Sequence, residues 1–245
     1  MSATFLDIAS PTGLGQPKPT LGSARAAKVR AALLAAILDH RLTPGMRLPE
    51  DEIGAIFGAS RTIVRAALQA LAHEKLVSIE PNRGAQVAQP TIDEARQVFE
   101  ARSLLEPRSA ALAAGRAGEA DVALLKAHLE AENRAIAAGD QGRAIALSAA
   151  FHVMIADLAN QQILAGFVRE LVSRSSLVVA LYWRRSDATC ERHAHHALVE
   201  AIGAGAADRA ADLMRSHLVD ILSGLDLSVR APRAAELSDL LRAKS

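Results

Sequence analysis

Three short stretches decide the fold of the N-terminal third: PGMRL at Pro44–Leu48, SRTIVR at Ser60–Arg65 and NRG at Asn82–Gly84. In this order they predict a turn before a short helix, a second helix that carries paired arginines, and a glycine-tipped hairpin with a basic residue. A winged helix-turn-helix has this layout, with one helix in the DNA major groove and the wing against the backbone. The sequence therefore predicts a DNA-binding head.

Local patterning fills in the elements of this head. Helices are predicted at Ala24–His40, at Glu50–Phe57 and from Ser60 to about His73, and strands at Val77–Glu80 and Ala85–Ala88. Ser60 is a favourable N-cap residue for the third helix, and Gly58 supplies the preceding turn. The second helix would bury an apolar stripe, and the third a broader one; the residues are Ile53, Ile56 and Phe57, and Val64, Ala67, Leu68 and Leu71.

The exposed face of the third helix carries the candidate DNA-reading groups. Arg61 and Arg65 are four residues apart and share the face opposite the apolar one, with Thr62 beside them. Arginine suits guanine edges and phosphates, and a short threonine can contact a phosphate or a thymine methyl group. Arg83 could reach phosphates or a minor groove, while Gly84 allows close backbone approach. The alternative is that the arginines are ordinary solvated surface residues.

Composition agrees with a helical, intracellular DNA-binding protein. The chain has 245 residues, of which 50% are apolar and only 3% aromatic, and this favours packed helices over sheets. Its single cysteine, Cys190, excludes an internal disulfide framework and suits a reducing compartment. There is no secretory signal pattern, and the longest apolar run, Leu177–Trp183, is too short for a membrane span. We expect a cytoplasmic protein with no membrane contact.

Charge divides unevenly along the chain. Residues 1–90 hold 10 Lys and Arg against 7 Asp and Glu, a net charge of +3, and residues 91–245 hold 18 against 20, a net charge of −2. The difference is modest, but its sign fits a DNA-binding head on a neutral body.

The remainder of the chain is predicted to be helical after a linker at Gln89–Thr91. Expected helices are Ile92–Ala114, Glu119–Ala138, Gln141–Leu158, Ile163–Trp183, Ala188–Ile202 and Ala207–Leu222. Pro107 should kink or divide the first of them. The predicted fold class is mainly α. The domains would be a flexible arm at 1–23, the winged helix-turn-helix at 24–89, an all-helical domain at 90–225, and a tail at 226–245 with a short amphipathic helix at Ala234–Leu241.

From its first helix to Val87 the chain resembles the GntR family of bacterial transcription regulators. The matching positions are Pro44-Gly45, Arg47-Leu48, Glu50, Glu52-Ile53, Gly58 to Thr62, Val64-Arg65, Ala67-Leu68, Leu71, Arg83-Gly84 and Val87. By resemblance, the operator contacts would be Arg47, Arg61, Thr62, Arg65, Arg83 and Gly84. The chain departs from the pattern at Asp51, where some members have arginine, and at Ala66, where many have glutamate. The first departure could remove a DNA contact and alter operator preference.

The helical part resembles the effector-binding FCD domain of the fatty-acid-regulator branch of that family. The matching residues are Arg102, Leu105-Glu106, Ala113-Ala114, Phe151-His152, His195, Ala201-Ile202, Met214 and His217-Leu218. The resemblance implies a pocket in which three histidines, His152, His195 and His217, hold a divalent metal together with an aspartate one turn before the first. Here that position is Ser148, so the expected carboxylate is missing and metal occupancy is open.

Helix geometry independently allows the histidine cluster. His195 precedes the break at Gly203 by about 12 Å, and His217 follows it by about 15 Å, so an antiparallel helix pair would place them level. His152 could complete a site for zinc or another late first-row metal. The candidate effector contacts are Arg102, Ser148, His152, His195 and His217. Arg102 could bind an anionic effector or only pair with Glu106 along its helix. His128, His193 and His196 are expected at the surface.

These features predict a metabolite-responsive transcription regulator and not an enzyme. It would bind double-stranded DNA at a palindromic operator as a homodimer, by family habit as a repressor, with a small organic-acid effector. One alternative is a metal-dependent hydrolase with an accessory DNA-binding head. Against it, the sequence offers no carboxylate near the histidines as a clear general base, since Asp157 lies about 140° round the helix from His152. The other alternative is a constitutive DNA-binding protein with a non-functional pocket.

Overall fold

A computed structural model of the chain describes residues 21–81, 83–183 and 189–228, and most of these are helical. They fall into two compact units, the first ending at Gln89 and the second beginning at Pro90. The described elements, in chain order, are α1 Leu21–Leu38, α2 Glu50–Phe57, α3 Arg61–His73, β1 Val77–Glu80, β2 Gly84–Val87, α4 Ile92–Ala114, α5 Glu119–Ala137, α6 Gln141–Leu158, α7 Gln162–Tyr182, α8 Thr189–Gly203 and α9 Ala207–Ser223. The mainly α fold class is confirmed.

The first helix differs from its predicted bounds. It begins at Leu21 rather than Ala24, so the last three residues assigned to the flexible arm belong to the helix, and it ends at Leu38 rather than His40. Residues 1–20 of that arm lie outside the described residues. The early start fits the sequence, because Leu21-Gly22-Ser23 leads without a proline into an alanine-rich segment with high helix propensity.

In the first unit, α3 packs against both α1 and α2. The predicted apolar face of α3 is buried throughout, at Val64, Ala67, Leu68 and Leu71. On α2, Ile53 is buried but Ile56 is exposed, so the predicted stripe is narrower than expected because a helix of two turns meets its neighbours along one line. Ser60 stands at the N-cap of α3 with an extended backbone, although its side chain makes no capping hydrogen bond.

The hairpin pairs β1 with β2 in antiparallel register, with Val77 opposite Val87 and Glu80 opposite Gly84. Gly84 has a φ of +78°, a conformation that glycine adopts without a steric penalty. The segment after α1 also runs along β2, since Leu48 N–H donates to the Ala85 carbonyl and Val87 N–H donates to the Met46 carbonyl. The PGMRL stretch is therefore tied to the wing, which the sequence did not indicate. Asn82 lies outside the described residues.

The second unit is a bundle of the helices α4 to α9, in which α4 packs against α6, α7, α8 and α9. Thr91 and Glu94 form a capping box that fixes the start of α4. Pro107 lies inside α4, which continues to Ala114. Of the two predicted effects, a kink or a division, the division is wrong: α4 runs through Pro107, and residues on both sides of it, among them Glu106 and Ala110, are buried.

The start of the predicted C-terminal tail is joined to the bundle. Asp226 N–H donates to the Tyr182 carbonyl, and Leu225 forms an isolated antiparallel β-bridge with Trp183. The helix predicted at Ala234–Leu241 lies outside the described residues. Among the described helices, none combines the length and the hydropathy that a membrane crossing requires.

Candidate DNA interface and metal centre

The six predicted DNA contacts all lie at the surface of the first unit. They are exposed on the segment before α2, on the first turns of α3 and on the hairpin: Arg47, Arg61, Thr62, Arg65, Arg83 and Gly84. Since α3 buries its opposite face, the helix presents the two arginines outward, as the four-residue spacing predicts.

Three of these arginines contact carboxylates of the same unit. Asp51 accepts from Nε and Nη2 of Arg61 at 2.6 and 2.8 Å. Glu50 accepts from Nε and Nη2 of Arg65 at 3.0 and 2.9 Å, and these hydrogen bonds hold the pKa of the Glu50 carboxyl below its usual value. Sequence reasoning missed these pairs because α2 and α3 are separate elements.

On the hairpin, Glu80 accepts a single hydrogen bond from Arg83 at 3.2 Å. This pair is local, three residues apart along the chain, and its arginine is more exposed than its carboxylate. The contact therefore restrains Arg83 less than the two-bond contacts restrain the arginines of α3.

The three predicted histidines meet in the core of the second unit. His152 on α6, His195 on α8 and His217 on α9 are all buried. His217 Nε2 lies 3.0 Å from His195 Nε2 and 3.3 Å from His152 Nε2. One ligand atom of each histidine lies within 4.8 Å of the other two. The structure thus brings together the residues that the sequence proposed as one site.

Two buried glutamates hold the outer nitrogens of this cluster. Glu106 on α4 lies 2.6 Å from His152 Nδ1, and Glu132 on α5 lies 3.0 Å from His195 Nδ1. The sequence offered no carboxylate near the histidines as a clear general base, whereas the structure places two carboxylates in contact with them. Both glutamates come from other helices, so their distance along the sequence hides the contact. With Nδ1–H donating to a carboxylate, each imidazole turns an Nε2 lone pair inward.

Burial and nearby charge set the protonation of these groups. Burial raises the pKa of the Glu106 carboxyl, but Arg102 and His152 outweigh this effect and bring the pKa to about 2. Burial lowers the pKa of His152, although Glu106 partly opposes this. Burial, and to a smaller extent the proximity of His195, His152 and Arg102, holds the pKa of His217 well below its usual value. His152 and His217 are therefore neutral bases near pH 7, as metal ligation requires.

The cluster fits a metal ion. Two nitrogens at about 2.1 Å from one ion would be separated by about 3.0 Å at a right angle and about 3.4 Å at a tetrahedral angle. The two measured Nε2 separations, 3.0 and 3.3 Å, lie in this range. Without an ion or a shared proton, nitrogen lone pairs this close would repel one another. The carboxylate–imidazole contacts are the usual outer support of a histidine metal site.

A cavity of about 340 Å³ adjoins the histidine cluster. Its polar wall contains residues of α4 to α7, namely Arg102, Glu132, Gln141, Ser148, His152, Ser175 and Ser176. Apolar side chains such as Ile145, Val179 and Trp183 make up the rest. Ser148 thus lies on the cavity wall, one turn before His152, where it leaves space that a longer carboxylate side chain would occupy.

Arg102 forms the ion pair with Glu106 and also lies on the wall of the cavity, where an anionic effector could reach it. Its Nε donates to Glu106 Oε1 at 2.5 Å, so the expected helical ion pair forms, and it is buried. Its Nη1 donates to Ser175 Oγ at 2.9 Å, and the residue also lines the cavity.

The three histidines expected at the surface are not part of this cluster. His193 and His196 are exposed as expected, but His128 is half-buried with Nε2 2.7 Å from the Leu147 carbonyl.

Two family models match the chain. The model for the FCD domain matches residues 97–220, and the model for bacterial regulatory proteins of the gntR family matches residues 25–87. The boundary between these matches falls close to the division between the two units at Gln89.

Individual relatives agree with these matches. The chain is 28% identical to the HTH-type transcriptional regulator LutR of Bacillus subtilis over 77% of this chain and 96% of that protein. It is 27% identical to the Nta operon transcriptional regulator of Aminobacter aminovorans over 64% of this chain and 75% of that one. A GntR regulator from Rhodococcus sp. RHA1 has a similar structure, with a TM-score of 0.73 and 25% identity over 82% of this chain and 96% of that chain.

Proposed function

Because this chain belongs to the GntR family of bacterial regulators and carries an FCD domain, we propose that it is a metabolite-responsive repressor. Members of this family regulate transcription and are not enzymes, so the hydrolase alternative falls away. DNA binding is the general activity. The details proposed here are the contact residues, the dimer, the effector and the metal.

The observation that carries the proposal is the exposed arginine pair on the first turns of α3. Arg61 and Arg65 point away from the buried face of a helix that two other helices support. In a helix-turn-helix the N-terminal residues of the second helix contact the base edges. We assign base or phosphate contacts to this helix and backbone contacts to the wing, through Arg47, Arg61, Thr62, Arg65, Arg83 and Gly84.

A homodimer on a palindromic operator follows from the small footprint of one head. A single module contacts few bases, and two-fold pairing of protein and half-sites doubles the contacts. The second unit offers a surface for such pairing, since Ile163 and Phe167 are exposed apolar residues four positions apart on α7. Large apolar side chains exposed one turn apart on a helix are typical of a contact with another protein surface.

The cavity beside the histidines is the proposed effector site. His152, His195 and His217 would hold a divalent metal, for which zinc or another late first-row ion suits three imidazoles. Such an ion, when bound, would supply a positive centre to which a carboxylate can attach. Arg102 adds a buried guanidinium on the cavity wall, which also carries the hydroxyls of Ser148, Ser175 and Ser176; the Ser175 hydroxyl donates to the Val172 carbonyl. A small organic acid matches this mixture of cation, hydroxyls and apolar walls.

Charge also favours an anionic effector. The buried groups around the cluster are one guanidinium, Arg102, and two carboxylates, Glu106 and Glu132. A divalent ion would leave this region with a net positive charge, since Ser148 provides no third carboxylate. An anion in the cavity would neutralise it, and isolated buried charge is costly. The intact carboxylate–histidine contacts also favour a functional pocket over a non-functional one.

The first experiment measures DNA and metal binding of untagged protein. Protection of selected duplexes should be two-fold symmetric and should weaken steeply with salt. Unchanged binding after Arg61→Ala with Arg65→Ala would refute the assigned DNA contacts.

Metal analysis of protein purified without chelator should find about one ion per chain in the native protein and much less in His217→Ala. Calorimetry with carboxylates such as citrate and lactate should detect binding that His217→Ala weakens. Equal metal content in both proteins would refute the histidine site, and a complete absence of metal and carboxylate binding would favour the constitutive alternative.

A further inference from the structure

The two arginine–carboxylate pairs between α2 and α3 share one contact geometry. Asp51 and Glu50 each accept two hydrogen bonds from the Nε and Nη2 atoms of their arginine. A guanidinium has five N–H donors, and a carboxylate on the Nε side leaves the terminal Nη1–Nη2 edge available. Among the described residues, both arginines of α3 thus keep a donor edge without a partner while the other edge is held.

The two carboxylates are themselves fixed by the fold. Glu50 and Asp51 are consecutive residues in the first turn of α2, where negative charge is favourable at a helix N-terminus. Buried Ile53 anchors this short helix against its neighbours. The acidic pair is therefore positioned by α2, and each member reaches a different arginine of α3.

We infer that Glu50 and Asp51 are specificity-determining residues, which orient Arg65 and Arg61 for guanine and disfavour their use as general phosphate contacts. The inference rests on the proposed role of these arginines in DNA binding. It extends that role to two acidic residues, including Asp51, at which some members of the family have arginine.

The acidic residues should weaken contacts of the arginines with phosphates and favour their contacts with guanine. A paired arginine gains less from a phosphate, because the adjacent carboxylate is repelled by the phosphate. A guanine edge carries no net charge and accepts two hydrogen bonds through O6 and N7, which the free edge of the guanidinium can donate. The exposed ion pairs are individually weak, so they bias the arginines without locking them.

The test compares a double variant, Glu50→Gln with Asp51→Asn, with the native protein on two probes. One probe is a duplex that the native protein selects from a randomised 30-base-pair pool, and the other is poly(dA-dT). At about 0.1 M salt, affinity for poly(dA-dT) should rise about fivefold to tenfold for each arginine freed. Discrimination between the selected duplex and its guanine-to-adenine versions should fall about fivefold or more.

Two further variants make the outcome decisive. Asp39→Asn removes one negative charge from the same unit at a pair with Arg41 that includes no residue of α3, and it should change neither quantity beyond the small effect of net charge. Arg61→Ala with Arg65→Ala should lose binding to the selected duplex. If this arginine variant still binds, the proposed contacts fail, whereas the inference alone fails if it loses binding but the acidic variant behaves as Asp39→Asn.

Folding is checked by thermal unfolding of each variant. If the double variant unfolds, the single Asp51→Asn change is used, since the Asp51 side chain is 68% exposed and its loss leaves no buried charge. Retention of the native guanine preference and of the native affinity for poly(dA-dT) in that single variant would overturn the assignment for Asp51.

Discussion

Two arginine–carboxylate pairs, one in each unit, lie in opposite environments. Arg61 and Asp51 in the first unit have side chains that are 71% and 68% exposed, whereas Arg102 and Glu106 in the second are 4% and 1% exposed. Solvent weakens the first pair, so Asp51 biases the orientation of Arg61 without fixing it. The second pair has no water to replace a lost partner, so it fixes the structure around the histidines. The same kind of ion pair is therefore adjustable at the surface and fixed in the core.

The largest expected effect comes from breaking the buried pair. Glu106→Ala leaves Arg102 charged and buried and also removes the partner of His152, so the free energy of unfolding should fall by about 3–5 kcal/mol. Urea unfolding measures this change, and Glu100→Ala on the exposed side of the same helix is the control. Replacing both partners, by Arg102→Met with Glu106→Leu, should recover much of the loss. A loss below about 1 kcal/mol for Glu106→Ala would remove the contrast between the two environments.

Removing one exposed arginine should affect DNA binding more than stability. Arg65→Ala deletes a proposed base contact and should weaken binding to a selected duplex by about 1–3 kcal/mol, or about 5-fold to 150-fold. Fluorescence anisotropy at fixed salt measures it. Arg215→Ala, a comparably exposed paired arginine on α9, should leave binding unchanged. Equal effects of the two substitutions would show that only net charge matters.

A new carboxylate at the histidine cavity should strengthen metal binding. Ser148→Asp places a potential oxygen ligand one turn before His152, so zinc affinity should rise on the order of tenfold. Competition with a chromogenic chelator measures the affinity, and the neutral, similarly sized Ser148→Asn is the control. Equal zinc affinity of the two variants would argue against a metal beside Ser148. The same aspartate should weaken carboxylate binding, because it fills the cavity and repels an anion.

The smallest expected effect is the loss of stability when the exposed Arg61–Asp51 ion pair is removed. Asp51→Asn should change the free energy of unfolding by less than about 1 kcal/mol, because water and salt compensate the exposed guanidinium. Urea unfolding at low and high salt tests this, and any difference from the native protein should shrink as salt rises. A decrease in the free energy of unfolding close to that of Glu106→Ala would mean that the Arg61–Asp51 pair stabilises the fold of the first unit.

Local patterns predicted the elements of both sites. The apolar spacing of α3 identified its buried face, and a four-residue interval placed Arg61 and Arg65 together on the opposite face. The break at Gly203 and the positions of His195 and His217 sufficed to place these two side chains level. In each case the decisive distance lies within one helix or across one short connection, where helix geometry fixes positions.

Contacts between distant elements were not predictable in the same way. The approach of Glu106 and Glu132 to the histidines depends on how α4 and α5 pack on α6 and α8, and no periodicity in the sequence reports that packing. The attachment of the segment around Met46 to β2 was missed for a similar reason, since backbone hydrogen bonds carry no side-chain pattern.

The sequence by itself determined a winged head on a helical body, the outward arginines of α3 and the three histidines, because residue spacing sets direction within a helix. Only the tertiary structure decided which charges face one another. It set the acidic residues of α2 against the arginines at the surface and the glutamates of α4 and α5 against the imidazoles in the core. The strength of a charge pair depends on its distance and its exposure to water, and both are properties of packed helices rather than of residue order.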